Sequence, residues 1–500
     1  MKLLEKIKEN IVKYRGSVAF CIDNIKYTYA DLQLRICAIQ KYFFENGLEI
    51  DGNVIVETFN DIDCYASILA IWFSGGTFIP INPNHPIERN DLILSQIEFD
   101  FILSTSNENK SKYVKNRQFT CTKNLTNSKD NITIIETDIQ RVMYILFTSG
   151  STGIPKGVLI SLKNITSFIA EFQQSGYILE SEDRFLQIYD LTFDASIHCY
   201  LLPLYVGASV YTVSSNKIKY LEAYKIMQNH NITFAKFPPS VLVYLQPHFN
   251  KIQLPHIKHC LLGGENFNFE IAKRWLKCVP NAQVQNVYGP TEATINTHIF
   301  NFSNTTPLSK TYQGVISIGK PFGLNKAIII NSNNEILKPF VKGELCLGGS
   351  QVTLGYLNNH EKDKNTFFYS TINSEKIRFY KTGDSAFIDE DGDFIFCGRI
   401  DSQVQIQGYR VELQEIEHTA KKFKMALNYA VVCVNDKQDL PIILLFCEQL
   451  EVETKKLFNF LKNKLPVYMM PSQIINLQNF PLTSSGKIDK LALKKEKFSN

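Results

Sequence analysis

The sequence has few features of a secreted, disulfide-bonded or metal-binding protein. Only 2 of its 500 residues are Trp and 6 are Met, and its 11 cysteines form no CxxC pair. An odd number of scattered cysteines is typical of a protein whose thiols stay reduced. The close histidine pair in HIKH (256–259) has no further ligand residues nearby, so no zinc site is expected there.

The sequence also has no large excess of positive or negative charge and no apolar segment long enough to span a membrane. Lys and Arg number 53 against 49 Asp and Glu, a net charge of +4, which does not indicate a nucleic acid or membrane-surface partner. The longest apolar runs have the length of strands, and the N-terminal stretch contains acidic residues and has no apolar core of a signal peptide. We expect a cytoplasmic protein that binds neither membranes nor nucleic acid.

What the sequence does contain is an alternation of strand-like and helix-like segments, which predicts an α/β fold with parallel sheets. NVIVETF, TFIPINP, RVMYILF, ITFAKF and KHCLLGG are among the predicted strands. From about Lys342 short, turn-punctuated strands predict a β-rich subdomain. After Glu412 a small α+β domain follows. We expect layered α/β subdomains and the β-rich subdomain within residues 1–400, and the small domain in 401–500.

The stretch FTSGSTGIPKGVLI (147–160) lies between two predicted strands. Amides of glycine and small residues can surround a phosphate, hydroxyls add donors, and Lys156 adds a positive charge. The spacing differs from GxxxxGK[ST], because Pro155 precedes the lysine and GVLI follows it. A flexible surface loop is the alternative.

A second stretch, NVYGPTEAT (286–294), combines an aromatic ring, a hydroxyl and a carboxylate. Tyr288 could stack on a purine, Thr291 could bind phosphate and Glu292 could hold Mg²⁺, which prefers oxygen ligands. By itself the stretch could also be a simple turn.

Three further stretches contribute polar groups. YKTGD places Asp384 at a strand end, where a carboxylate suits ribose hydroxyls. GRIDSQVQIQGYRVELQEIE lies at the expected domain junction, and PLTSSGKIDK places Lys487 in a Gly/Ser turn.

Taken together, these stretches resemble the adenylate-forming superfamily, and within it the amino-acid adenylation domains of nonribosomal peptide synthetases and the D-alanine–carrier-protein ligases. YTYADL, FSGGTFIPINPNHPIER, LTFDAS and LLGGENF match further motifs of that superfamily in the same order. The resemblance covers nearly the whole chain, and eight motifs in register make chance matching implausible.

The resemblance implies a role for each matching position. The loop implied to hold the β- and γ-phosphates of ATP is Thr148, Ser149, Gly150, Ser151, Thr152, Gly153 and Lys156. The implied adenine site is Gly264, Glu265, Asn286, Val287 and Tyr288. The other implied roles are ribose contact for Asp384 and Arg399, α-phosphate ligand for Thr291, Mg²⁺ ligand for Glu292, catalytic lysine for Lys487 and hinge for Asp401.

The implied reaction joins a carboxylate to the α-phosphorus of ATP and releases pyrophosphate. Lys487 would hold the reacting groups, and the mobile C-terminal domain would then rotate about Asp401 to admit a thiol. The expected thiol is the phosphopantetheine of a separate carrier protein. Free coenzyme A as acceptor, as in an acyl-CoA synthetase, and a non-catalytic scaffold role are the alternatives.

Three positions just beyond the hinge depart from the usual pattern. The family often has basic residues where this chain has Gln405 and Gln407, and glycine where it has Gln414. They lie near the face expected to contact the thiol donor, so they bear on carrier docking rather than on adenylation.

Asp194 indicates that the activated substrate is an amino acid, because it matches the aspartate that binds the α-amino group in amino-acid-activating members of the family. A helix N-cap is the alternative for this residue. The other positions matching the side-chain pocket are Ala195, His198, Lys236, Leu261, Gly263, Val287, Ile295 and Asn296.

Lys236 is the informative pocket residue, because strand alternation in ITFAKFPP places it on one apolar face with Ile232 and Phe234. A buried ammonium needs a partner, and the substrate side chain is one candidate. An internal carboxylate, or an extended side chain that reaches water, is the alternative. Pockets with lysine here resemble those for aspartate or asparagine, which we expect as substrate, ahead of D-alanine or another small amino acid. His198 could add a polar contact or cap a helix.

Overall fold

The computed structural model describes residues 3–107, 118–150, 152–214, 217–449, 452–483 and 486–496, so Ser151 of the predicted phosphate loop lies outside the described residues. Its α-helices are α1 (Leu3–Lys13), α2 (Tyr29–Asn46), α3 (Ile62–Phe73), α4 (Ile87–Leu94), α5 (Leu162–Gln174), α6 (Asp194–Val206), α7 (Lys219–Asn229), α8 (Ser240–Leu245), α9 (Phe269–Trp275), α10 (His360–Thr366), α11 (Leu413–Lys421), α12 (Thr454–Lys462) and α13 (Lys490–Glu496).

The strands begin with β1 (Val18–Ile22), β2 (Ile25–Thr28), β3 (Asn53–Glu57), β4 (Thr77–Ile81), β5 (Phe101–Ser104), β6 (Gln118–Cys121), β7 (Val142–Thr148), β8 (Lys156–Ser161), β9 (Arg184–Gln187), β10 (Ser209–Thr212), β11 (Phe234–Phe237), β12 (His259–Gly263), β13 (Gln283–Tyr288) and β14 (His298–Phe302). They continue with β15 (Thr311–Tyr312), β16 (Val315–Ile316), β17 (Lys320–Pro321), β18 (Lys326–Ile330), β19 (Gly343–Gly348), β20 (Gly355–Tyr356), β21 (Phe367–Ile372), β22 (Glu375–Ile388), β23 (Phe394–Arg399), β24 (Gln403–Ile406), β25 (Tyr409–Glu412), β26 (Tyr429–Asn435), β27 (Pro441–Glu448) and β28 (Gln473–Leu477).

The largest sheet has nine strands in the order β17-β14-β13-β12-β11-β9-β10-β1-β2. Strands β9 to β13 run parallel in its centre, as the alternating strand and helix pattern predicts. Their apolar residues are buried because helices cover both faces of a parallel sheet. Polar side chains that follow these strands collect at one edge of the sheet, where a binding site is expected.

A second sheet has seven strands in the order β20-β8-β7-β4-β3-β5-β6. Helix α3 is buried along all its residues except Ile62, because it lies between this sheet and the rest of the core. Strands β7 and β8 form an antiparallel pair, so the loop between them connects two strands, as predicted.

The β-rich region after Lys342 is confirmed as an antiparallel sheet in the order β18-β19-β22-β21, with β23 paired to β22. The segment DEDGDF forms the tight β22–β23 connection, with Gly392 at φ +81°. Only glycine adopts such a backbone conformation without strain.

The segment SQVQIQGYRV, which we expect to be one of the short strands after Lys342, does not form a single strand, so that prediction is wrong. It forms the two-stranded hairpin β24–β25, because Gln407 and Gly408 both have positive φ, 51° and 81°. Two such residues in succession are typical of the tight turn that reverses a strand.

After Glu412 the predicted α+β region consists of helix α11, strands β26 and β27, and helix α12, and β28 completes a three-stranded sheet. Two apolar clusters in this region take their buried members from between Ile406 and Leu493. At the junction, Arg399 Nη2 contacts Asp401 Oδ2 at 2.5 Å, and Asp401 Oδ1 accepts the Gln403 amide at 3.0 Å. We propose that residues 401–500 form a separate domain with Asp401 as its hinge.

No helix among the described residues is both long enough and apolar enough to span a bilayer. All 11 cysteines are unpaired, and nine of them are buried.

Candidate active site

The loop after β7 is built for close backbone approach. A Cβ at Gly150 would lie 2.0 Å from the Ile154 carbonyl, and one at Gly153, where φ is +82°, would meet the His418 ring at 2.8 Å. Substitution at either position therefore requires the backbone or the neighbouring domain to shift.

This loop already contacts strand β25 and helix α11. The Gly150 amide donates to Glu415 Oε2 at 3.2 Å, and Ser149 Oγ donates to the Arg410 carbonyl at 3.0 Å. The Thr148 hydroxyl is buried and has no hydrogen-bond partner among the described residues. The Glu415 carboxylate thus accepts a hydrogen bond from the Gly150 amide, which the sequence predicts to bind phosphate. The buried Thr148 hydroxyl in the same loop remains free to bond a ligand.

Glu292 is the most completely buried charged group of the site, with 0% exposure. Its Oε2 lies 2.7 Å from Arg410 Nη1, and its Oε1 accepts a hydrogen bond from the Tyr356 hydroxyl at 2.8 Å. Burial opposes ionisation, but Arg410, Lys156 and the Tyr356 hydroxyl outweigh it and lower the pKa of Glu292 to about 2. Glu292 is therefore a carboxylate at neutral pH.

Lys156 begins β8, and its side chain is 14% exposed. Its Nζ lies 4.0 Å from Glu412 Oε1 of the C-terminal domain. Burial and the nearby Arg410 lower the pKa of Lys156, while Glu292 and Glu412 act in the opposite direction. The site therefore contains cations that gain stability when an additional anion binds.

The residues predicted to surround the nucleoside lie in two linked groups. Glu265 accepts the Ser240 amide at 2.7 Å and the Gly408 amide at 2.6 Å, which ties β12 to the β24–β25 turn. Asn286 Nδ2 donates to the Ser317 carbonyl at 2.9 Å, and Val287 is buried. The predicted adenine residue Gly264 has φ +81°.

The predicted ribose residues are also in contact. The Tyr288 hydroxyl donates to Asp384 Oδ2, and Arg399 Nη1 lies 2.7 Å from Asp384 Oδ1. Burial raises the pKa of Asp384, although Arg399 acts in the opposite direction. This cluster joins the nine-stranded sheet to the β-rich sheet.

Asp194 is the first residue of α6, and the N-cap is Phe193. The N-cap alternative is therefore wrong for this residue. Its Oδ2 is buried and has no hydrogen-bond partner among the described residues. Burial raises the pKa of the carboxyl group, and Lys236 and Thr291 partly oppose this. A buried carboxylate oxygen without a partner is costly, and a ligand cation would offset that cost.

Lys236 lies on β11 and is only 2% exposed. Its Nζ contacts His198 Nδ1 at 2.9 Å and Asn296 Oδ1 at 2.6 Å. Both partners are neutral groups, since burial and Lys236 hold the pKa of His198 well below its ordinary value. Among the described residues no carboxylate lies within 4.0 Å of the ammonium, so neither an internal ion pair nor a side chain reaching water describes Lys236. His198 is inside α6 and does not cap it.

The ammonium of Lys236 is destabilised where it lies. Burial lowers the pKa of Lys236 to about 8, while Cys199 and Asp194 act in the opposite direction. It remains mostly protonated at pH 7. Ile232, expected on the same face, precedes β11 and packs in a different apolar cluster from Phe234.

The other residues predicted to line the side-chain pocket are mostly apolar. Leu261 is its register partner on β12, and Val287 is the register partner of Gly263. A Cβ at Gly263 would lie 2.3 Å from the Val287 carbonyl, so packing of the two strands requires glycine there. Ile295 is 2% exposed, and the half-buried Ala195 follows Asp194 in α6.

Lys487 is not brought to this site in the described arrangement. Its side chain is exposed, and its amide donates to Thr483 Oγ1 at 3.2 Å within a C-terminal turn. The hairpin β24–β25 and the start of α11 face the site instead, through Arg410, Glu412 and Glu415.

Sequence reasoning missed Arg410, Glu412 and Glu415 as site residues. Arg410 is 118 positions from Glu292, and Glu415 is 265 positions from Gly150. No local spacing signals such a contact. A buried Glu292 would require a countercharge, but that requirement does not identify which arginine supplies it.

The comparisons with known proteins agree with this arrangement. Residues 7–357 match the model of the family described as AMP-binding enzyme. The chain is similar to gramicidin S synthase 1 of Brevibacillus brevis, with 30% identity over 97% of this chain and 44% of the relative. It thus spans less than half the length of that relative.

Two solved structures share the fold. The Vibrio cholerae adenylation domain AlmE in complex with glycyl-adenosine-5'-phosphate has a TM-score of 0.84 at 23% identity, covering 100% of this chain and 98% of that one. Holo-PA1221, a nonribosomal peptide synthetase protein with adenylation and carrier (PCP) domains bound to a vinylsulfonamide inhibitor, has a TM-score of 0.86 at 21% identity, covering 99% and 84%. The predicted α/β fold is thereby confirmed. With the family model matching well over half of its length, the chain belongs to the AMP-binding enzymes and is an adenylate-forming ligase.

Proposed function

We propose that this ligase activates an amino acid as its aminoacyl-adenylate and transfers it to the phosphopantetheine thiol of a separate carrier protein. The observation that carries the proposal is the unpartnered Asp194 Oδ2 at the start of α6. An α-ammonium group supplies the charged donor that this buried oxygen lacks.

ATP would bind across the β7–β8 loop and the carboxyl end of the nine-stranded sheet. In this proposal the loop from Thr148 to Gly153, with Lys156, holds the β- and γ-phosphates, and Thr291 contacts the α-phosphate. Adenine lies against Gly264, Glu265, Asn286, Val287 and Tyr288, and the ribose against Asp384 and Arg399. The unpartnered Thr148 hydroxyl and the two neighbouring cations Lys156 and Arg410 support an anionic ligand here.

Glu292 is the residue we propose to hold Mg²⁺. Its carboxylate is ionised and buried, and oxygen is the ligand atom that this hard cation prefers, so the residue fits the ion. Bound Mg²⁺ would neutralise the departing pyrophosphate. Arg410 now contacts the same carboxylate, so the chain itself supplies a cation there in the described arrangement.

In the proposed reaction a substrate carboxylate oxygen attacks the α-phosphorus, the bond to pyrophosphate breaks, and an acyl-adenylate forms. Lys487 would bridge the carboxylate and the α-phosphate, which requires the C-terminal domain to turn about Asp401 from the described position. The thiol then attacks the acyl carbon, AMP leaves, and a thioester forms. No covalent enzyme intermediate is needed.

Aspartate or asparagine is the proposed substrate, because Lys236 is a buried ammonium whose partners are neutral. A side-chain oxygen near Lys236, His198 and Asn296 would supply the missing acceptor. Of the two, aspartate also supplies the missing negative charge. D-alanine or another small amino acid would leave the Lys236 ammonium without a charged partner.

A carrier protein is the proposed thiol donor, and one matched structure supports it, since PA1221 contains both adenylation and PCP domains. An acyl-CoA synthetase is the competing function, since a CoA synthetase for o-succinylbenzoate shares the fold at a TM-score of 0.85. Asp194 favours an amino acid. A non-catalytic scaffold is disfavoured by the retained Glu292, Asp384 and Lys487.

The test is amino-acid-dependent pyrophosphate exchange by the purified protein, over the proteinogenic amino acids, D-alanine, D-aspartate and several aryl and fatty acids. Strong exchange with aspartate or asparagine is expected. A maximum at an apolar amino acid would refute the role given to Lys236, and exchange with no acid would refute the proposed activity. Comparing holo-carrier protein with free coenzyme A as acceptor distinguishes the two transfer reactions.

A further inference from the structure

A cavity of about 190 Å³ opens beside the β7–β8 loop, on α10 and the strand before it. Its lining includes Thr152, Lys156, Tyr356, Asn359 and Lys362. It contains two lysines from elements far apart in the sequence, at the beginning of β8 and inside α10.

Lys362 is half-buried and lies close enough to Lys156 to lower the pKa of that lysine. Among the described residues Lys362 has no carboxylate partner within 4.0 Å. Lys156 Nζ lies 4.0 Å from Glu412, and the positive charge of Arg410 lowers the pKa of Lys156. Two like charges facing one cavity repel each other, and an anion between them relieves that repulsion.

We propose that Lys362, together with Lys156, binds a diphosphate group in this cavity. The inference rests on the proposed function, which supplies two sources of this group: the β- and γ-phosphates of bound ATP, and free pyrophosphate. Two ammonium groups match the multiple charge of a diphosphate, and the Thr152 hydroxyl and Asn359 amide add hydrogen-bond donors to the lining.

The cavity is distinct from the loop amides that the C-terminal domain covers. Gly150 donates to Glu415, and Ser149 donates to the Arg410 carbonyl, whereas the cavity is open beside them. A diphosphate held by Lys362 therefore does not have to displace those contacts. The site can retain pyrophosphate while the C-terminal domain occupies the described position.

The experiment is calorimetric titration of the full-length protein with inorganic pyrophosphate at constant ionic strength. Lys362→Ala is expected to weaken binding about tenfold, since a hydrogen bond to a charged group is lost. Lys364→Ala is the matched control, because Lys364 is an exposed lysine of the same helix, outside the cavity lining. Lys362→Gln, which keeps a polar side chain without the charge, should behave like Lys362→Ala.

Two further titrations identify the source of the diphosphate. If it is the terminal part of ATP, Lys362→Ala weakens a non-hydrolysable ATP analogue but not AMP. If it is free pyrophosphate, only the pyrophosphate titration changes. The proposal is overturned if the wild-type protein binds neither pyrophosphate nor the ATP analogue, if Lys362→Ala binds both ligands as the wild type does, or if Lys364→Ala loses as much affinity. Failure of the adenylation proposal is separate, because it would appear as absent exchange in the wild-type protein.

Discussion

Arg410 Nη1 lies 2.7 Å from Glu292 Oε2, so an arginine of the C-terminal domain contacts the carboxylate that we propose to bind Mg²⁺. Glu292 is fully buried, the Arg410 side chain is 16% exposed, and the arginine lowers the pKa of Glu292. Two cations cannot share one carboxylate oxygen at contact distance without strong repulsion. Docking of the β24–β25 hairpin, which contains Arg410, and binding of Mg²⁺ to Glu292 should therefore compete.

Arg410→Ala tests that competition. The Mg²⁺ concentration for half-maximal pyrophosphate exchange should fall several-fold, because the ion no longer displaces a guanidinium. Removing one partner of a buried ion pair costs about 3–5 kcal/mol, so docking of the C-terminal domain in the described position should weaken. Lys456→Ala, which removes an exposed lysine of the same domain, is the control. An unchanged or increased Mg²⁺ requirement would contradict the competition.

Lys487→Ala should abolish adenylate formation while ATP still binds, since we propose that this lysine stabilises only the reacting groups. Pyrophosphate exchange and ATP titration measure the two effects separately. Because Lys487 is exposed in the described arrangement, its substitution should leave folding stability unchanged. Normal exchange in the variant would show that another group performs this role.

The Asp194→Ala variant should lose adenylation activity with amino acids and gain activity with succinate, which is aspartate without its amino group. The reason is that Asp194 Oδ2 has no partner among the described residues and is proposed to bind the α-ammonium. Adenylate formation with aspartate and with succinate, measured by pyrophosphate release, gives the ratio of the two activities. If the ratio is unchanged, the carboxylate does not bind the amino group.

Lys236→Met should selectively reduce kcat/KM for aspartate and asparagine, by about tenfold or more, because a charged hydrogen bond to the side chain is lost. Methionine retains an unbranched chain of similar length, which limits the cavity left by the change. Substrate profiles of the two proteins should therefore differ in shape. An equal reduction for every amino acid would identify Lys236 as structural.

The pH dependence of kcat/KM for aspartate should follow from the ionisation of Lys236. Burial lowers the pKa of Lys236 to about 8, so the ammonium is present below pH 8 and is lost above it. Because kcat/KM reports the free enzyme, its value for aspartate should fall above about pH 8, approaching tenfold per unit. The residual aspartate activity of Lys236→Met should lack this break. Identical profiles would show that Lys236 does not control recognition.

Much of the fold and several site residues could be predicted from short stretches. Strand β11, the β7–β8 loop and the β22–β23 turn depend on apolar alternation and glycine placement, which are local properties. The segment after Asp401 was mistaken for one strand because Gln407 adopts positive φ, which is unusual for a residue other than glycine. Only packing against the neighbouring domain, where the Gly408 amide meets Glu265, accounts for that turn.

The alternating α/β architecture, the order of the motifs and the chemical types of the candidate site residues can be read from local sequence, because each depends on neighbours within a few positions. Which charged groups meet depends on the tertiary fold. Arg410 on Glu292, and Lys236 between His198 and Asn296, join residues 38 to 118 positions apart. Such pairs form because a buried charge must find a partner in space, and sequence distance places no limit on where that partner lies.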